Sequence, residues 1–78
     1  MSYWKYIVAK KKYAGENEYS IREAYYNDSG KIYAITEDQI APISESLEGL
    51  RNILLKMLDS VNSFDVVDLD NIEFAENV

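Results

Sequence analysis

The stretch "YSIREAYYNDSGKIYAI", Tyr19 to Ile35, decides how this chain folds. Branched and aromatic residues flank "NDSG" on both sides, which reads as two strands joined by a tight turn. Asn27 to Gly30 suits a type I turn closing on Gly30 in the left-handed region. Bulky apolar residues fall on both faces of this hairpin, although a small sheet needs to bury only one. What covers the second face is the question the sequence poses.

Upstream, Tyr3 to Tyr13 is again rich in aromatic and branched residues and reads as a strand. "AGEN", Ala14 to Asn17, is its turn, and the next strand spans Tyr19 to Tyr26. Lys31 to Thr36 is the third strand of an antiparallel meander. Downstream, Pro42 disfavours helix at Ala41, so the connection that follows is expected to be extended. Ser46 is a good N-cap, with Ser44 as a rival. Leu47, Leu50, Leu54, Met57, Leu58 and Val61 keep the spacing of one helical face, with Ile53 and Leu55 off that stripe. The helix is expected from Leu47 to Val61 or Asn62. Gly49, in its first turn, costs roughly 1 kcal/mol relative to alanine. Beyond it, "FDVVDL", Phe64 to Leu69, is a candidate for a short fourth strand, and its aspartates suit an edge. The fold class expected is therefore α+β: a three-stranded antiparallel meander packed by one C-terminal helix. Residues 1–74 form the single domain and residues 75–78 a frayed tail.

With 78 residues, one domain is all that fits, and its core is marginal. Small domains of this kind commonly add a staple or a partner subunit. The chain has no Cys and no His, which excludes disulfides, thiolate zinc sites and the commonest general base. "MSYWKYIVAKKKY" lacks the order of a signal peptide, because its lysines follow the short apolar run. No apolar run is long enough to span a bilayer, so a cytoplasmic protein is expected. From Met1 to Ile40 six bases balance six acids, while from Ala41 onward eight acids face only Arg51 and Lys56. The net charge of −6 thus sits in the second half, where it favours solubility and basic partners over nucleic acid.

If both turns set the registers suggested above, one sheet face carries Trp4, Tyr6, Val8, Ala24, Tyr26, Ile32 and Ala34. This face, uncharged at its centre, is expected to receive the helix. The other carries Lys5, Ile7, Ala9, Lys11, Ile21, Glu23, Tyr25, Tyr33 and Ile35. Its apolar members, Ile7, Ile21, Tyr25, Tyr33 and Ile35, are the candidate interface, since tyrosine offers an apolar ring and a polar tip. A one-residue slip would exchange the members of the two faces.

Chemistry is sparse. No spacing singles out a pair of carboxylates for acid–base work. "DVVDLDN", Asp65 to Asn71, lacks the glycine and terminal glutamate of a calcium loop and reads as a solvated acidic edge. "SES", Ser44 to Ser46, is helix capping, and no glycine-rich loop precedes a helix. Lys10, Lys11 and Lys12 alternate sides along a strand and so make no single basic patch. No catalytic residue, cofactor, metal or small-molecule substrate is expected.

The words "YWKYIV", "YSIREAYYNDSGKIYAITED", "IAP" and "ESLEGLRNILLKML" resemble a family of small bacterial conserved-hypothetical proteins. That resemblance implies a fold and a bacterial source rather than an activity. Gly49 stands where the family's helix-opening word carries a second Glu. The order strand–strand–strand–helix, with a Ser-Leu-Glu word opening the helix, also resembles the HicB-type antitoxin domain. That likeness implies binding of a small basic toxin, often as a dimer. The domain's glycine-rich, proline-containing word and its DNA-binding segment have no counterpart, nor does the first-strand carboxylate of the ribonuclease H fold. The function expected is a non-enzymatic protein-interaction module that self-associates, with a dimer favoured, or binds another protein. An antitoxin-like binder of a basic partner is the alternative, and a small carboxylate enzyme a further one.

Overall fold

The computed structural model describes residues 3–77. Four strands and one helix follow in the order β1 (Tyr3–Tyr13), β2 (Glu16–Tyr26), β3 (Ile32–Ile35), α1 (Leu47–Asn62) and β4 (Val66–Asp68). They form an α+β unit whose sheet has the order β3-β2-β1-β4. β1, β2 and β3 pair antiparallel as expected. β4 does not extend the meander. It lies beside β1 and parallel to it, with Val8 opposite Val66 and Lys10 opposite Asp68, so the sheet is mixed. No helix among the described residues is long and apolar enough to cross a membrane.

The first hairpin is tighter than "AGEN" suggests. Tyr13 pairs with Glu16, leaving only Ala14 and Gly15 in the loop. Both have positive φ, 49° and 82°, as a two-residue type I′ turn demands. Alanine is not the residue that turn usually selects, and β2 therefore begins earlier than Tyr19. The turn of the second hairpin follows expectation, but a bulge at Tyr25/Tyr26 sets Ile35 opposite Ala24 and Ala34 opposite Tyr25, the reverse of the expected division. Gly30 sits at φ 76°, and its N–H donates to the Asn27 carbonyl at 3.0 Å.

The tight first turn changes which residues share a face. Trp4 lies opposite Tyr25, Val8 opposite Ile21, Ile7 opposite Arg22 and Lys5 opposite Ala24. Cross-strand partners share a face, so β2 is one residue out of phase with the expected division. Ile7, Ala9, Ala24 and Tyr26 form one buried cluster, with Ile32, Ile35, Val67 and Leu69 packed against it. The face expected to meet the helix was thus composed from halves of two different faces.

The cover of this core face is the chain's own C-terminal segment. Leu69 packs on the cluster, and its N–H donates to Lys10. The chain then crosses from the β4 side of the sheet to the β3 side. There Ala75 donates to the carbonyl of Ile32 at 2.9 Å, and Glu76 accepts from Nδ2 of Asn27 at 2.7 Å. The stretch expected to fray is therefore tied at two points; Val78 lies outside the described residues. Arg22 is buried in the same face. It donates to Ser20 Oγ and to the carbonyls of Thr36 and Glu37, pinning the chain as it leaves β3.

Helix α1 opens as the sequence indicates. Ser46, at φ −133°, accepts from the N–H of Gly49 at 3.0 Å, and Glu48 complements the helix dipole. A Cβ on Gly49 would lie 2.2 Å from Ser44 Oγ and 2.9 Å from Ser46 Oγ, so the glycine makes room for the capping serines. The helix ends on Ser63. Phe64 follows at φ 60°, its N–H donating to Val61, as in a left-handed helix terminus.

Candidate functional site

The residues expected to form one interface are divided by the sheet. Ile7 is buried and Ile35 packs against the core cluster, so neither is available to a partner. Ile21, Tyr25 and Tyr33 lie outside that cluster and are half-buried. The rings of Tyr25 and Tyr33 stand 6.5 Å apart, and the Tyr25 hydroxyl donates to Glu23 at 2.7 Å. That hydrogen bond, with desolvation and the Glu23 charge behind it, raises the Tyr25 phenol above its ordinary pKa. Tyr25 is thereby held as a neutral donor and is a poor base.

A different surface gathers several of the exposed apolar groups. At about 100° per residue, the apolar positions of α1 from Ile53 through Leu50, Met57 and Leu54 to Leu55 sweep an arc of roughly 200°. The inner part of that arc meets the protein: Met57 is buried and Leu50 and Ile53 are half-buried. The outer part does not. Leu54, Leu55 and Leu58 are about half exposed, and Leu47 is 83% exposed. Beyond the helix end, Phe64 is 87% exposed. Val61 and Phe64 share a groove of about 360 Å³ with Val8, Tyr19, Ile21 and Val66, whose walls are apolar apart from Ser20, Asp65 and the tyrosine hydroxyl. The sequence signal for this surface is the width of the apolar arc, with Leu55 and Ile53 lying off the main stripe.

A wider hollow of about 690 Å³ opens where four consecutive residues of β1, Trp4 to Ile7, meet the C-terminal half of α1. β4 pairs with β1 only from Val8 onward, so among the described residues no strand flanks that edge of β1 there. Lys5, Lys56, Asp59 and Asp65 stand at its wall. Two amines and two acids border an open space, which suits charge balance on a surface more than a converging acid–base pair.

The acidic segment after the helix closes on itself. Asp68 accepts from Asn71 Nδ2 at 2.7 Å and from the N–H of Asp70 at 3.0 Å, and it faces Lys10 at 3.7 Å. These donors, the Asn71 amide foremost, lower its pKa below the ordinary 3.8. Asp70 caps the sheet edge by accepting from the Lys12 N–H at 2.9 Å. Among the described residues no group of three or more metal-ligating side chains converges.

No family model, curated protein or solved structure matches this chain.

Proposed function

We propose that this chain is a non-enzymatic protein-interaction module, acting by self-association or by binding another protein chain. The observation that carries this reading is the outward half of α1. Leu47, Leu54, Leu55 and Leu58, together with Phe64 and the Val8–Ile21 groove, form apolar surface of the kind that marks interaction sites. The interface residues move accordingly from the tyrosine face to the helix and the groove beside it.

A photoreactive benzoylphenylalanine in place of Phe64, expressed in cells, tests the reading, with the same residue in place of Tyr13 as control. Protein adducts are expected from position 64 and few from position 13. Absence of protein adducts at position 64, or equal yields at both positions, overturns it.

A second reading draws on the acidic edge. Asp65, Asp68 and Asp70 lie just before, at the end of and just beyond β4, which favours a basic partner of the antitoxin–toxin kind. Such a complex would dissociate steeply with salt, and an interaction insensitive to salt excludes it.

A further inference from the structure

We propose that the occupant of the outer face of α1 is the α1 of a second copy, docked antiparallel about a two-fold axis passing near Leu55. This rests on the interaction reading and names its partner.

Three features of the helix converge on this arrangement. The first is charge. The chain carries −6, all of it from Ala41 onward, so copies that meet through the acidic stretches of that half repel each other. Within that half helix α1 is neutral, because Glu48 and Asp59 are balanced by Arg51 and Lys56. Copies meeting through α1 therefore meet on a neutral surface.

The second is the placement of those charges. Arg51 and Asp59 lie equally far on either side of Leu55. In the antiparallel pair, Arg51 of each copy comes alongside Asp59 of the other, and the contact occurs twice. A parallel pair would set Arg51 against Arg51 and Asp59 against Asp59. The helix dipoles also favour the antiparallel choice.

The third is the fate of the two most exposed apolar residues near the helix ends. With the axis near Leu55, Leu47 of one copy falls beside position 63 of the other. It therefore reaches Phe64 and the mouth of the groove lined by Val8, Ile21 and Val61. Leu54, Leu55 and Leu58 of both copies interdigitate at the centre. The arrangement thus covers the solvent-facing arc of the helix and the groove together, which neither the sheet nor the C-terminal segment does. Each contact is made twice, as a two-fold interface requires.

Sedimentation equilibrium of the full chain tests this. The wild-type protein is expected to dimerise, and Leu58→Asp to be monomeric with its far-ultraviolet dichroism retained. Arg51→Glu and Asp59→Arg, taken singly, should each weaken the dimer by about tenfold, since each spoils two symmetric ion pairs. The double exchange Arg51→Glu/Asp59→Arg should return to near wild-type affinity. Should Leu58→Asp fail to fold, the charge exchange decides alone, because these side chains are exposed. A wild-type monomer at high micromolar concentration overturns the proposal, as does a dimer in which the double exchange is no better than the single changes. If the monomer still yields adducts from position 64, only the second copy is excluded. If it yields none, the interaction reading falls too.

Discussion

Asn27 donates through Nδ2 to the carbonyl of Glu76, 2.7 Å away and 49 positions along the sequence. Its Oδ1 accepts from the N–H groups of Ser29 and Lys31, both at 3.0 Å. One buried amide therefore shapes the β2–β3 loop and holds the end of the segment that covers the core. Asn27→Ala removes all three bonds and should cost about 2–3 kcal/mol in urea unfolding, at roughly 1 kcal/mol for each. Asn27→Asp keeps the acceptors for the loop but loses the donor to Glu76. It should speed amide exchange at Ala75 more than at Lys31. Equal protection of Ala75 in both proteins would show that the tail is held by other means.

Ala14 occupies the left-handed region, where an L-residue other than glycine or asparagine pays a steric penalty. Ala14→Asn and Ala14→Gly should each stabilise the protein by about 0.5–1 kcal/mol, with a matching rise in melting temperature. Asparagine should do better, because glycine also enlarges the freedom of the unfolded chain. A fall in melting temperature for both variants would mean that the turn is not of this type in solution.

Gly49 sits in the first turn of a helix, where alanine ordinarily gains about 1 kcal/mol. Here the added methyl group meets the hydroxyls of Ser44 and Ser46, and Ser46 is the cap. Gly49→Ala should be neutral or destabilising, since loss of a serine cap costs about as much as the propensity gains. Chemical unfolding that finds the variant more stable by the full propensity difference contradicts the cap geometry.

Asp68 is lowered below 3.8 by the Asn71 amide, the Asp70 N–H and Lys10. The unfolded chain therefore binds this proton more readily than the folded one as the pH falls. The contribution of Asp68 is fully present above about pH 5 and is lost through pH 4 and below, as the pH drops through its folded value. The difference in urea midpoint between the wild type and Asp68→Asn should shrink across that range. A difference independent of pH would assign it to packing instead of charge.

Elements whose signal is local were legible in the sequence. The helix bounds follow from Ser46 and the spacing of Leu47 to Val61, and the turn at Gly30 follows from "NDSG". The register of the first hairpin was not legible, because an Ala-Gly type I′ turn sets alanine where glycine or asparagine is usual. That misplacement exchanged Ala24 and Tyr26 with Ile21 and Tyr25, and a bulge at Tyr25/Tyr26, which no turn residue announces, exchanged Ala34 with Ile35. The parallel β4 and the returning tail depend on contacts distant in sequence, which periodicity does not record. Arg22 gave no signal either, since a buried guanidinium satisfied by Ser20 and the carbonyls of residues 36 and 37 resembles a surface residue in sequence. The surface on α1 was half legible: Leu55 and Ile53 widen the apolar arc beyond what one contact needs.

The returning tail has a consequence during synthesis. The core face of β1 and β2 is made before the residues that cover it, since Val67 to Glu76 lie about forty positions or more further along the chain. While the ribosome still holds them, Ile7, Ala24 and Tyr26 stay open to the cell, together with the unpaired outer edge of β1. Such exposed strands are what chaperones bind and what aggregates grow from. The core face cannot be closed by its own chain until Glu76 has left the exit tunnel.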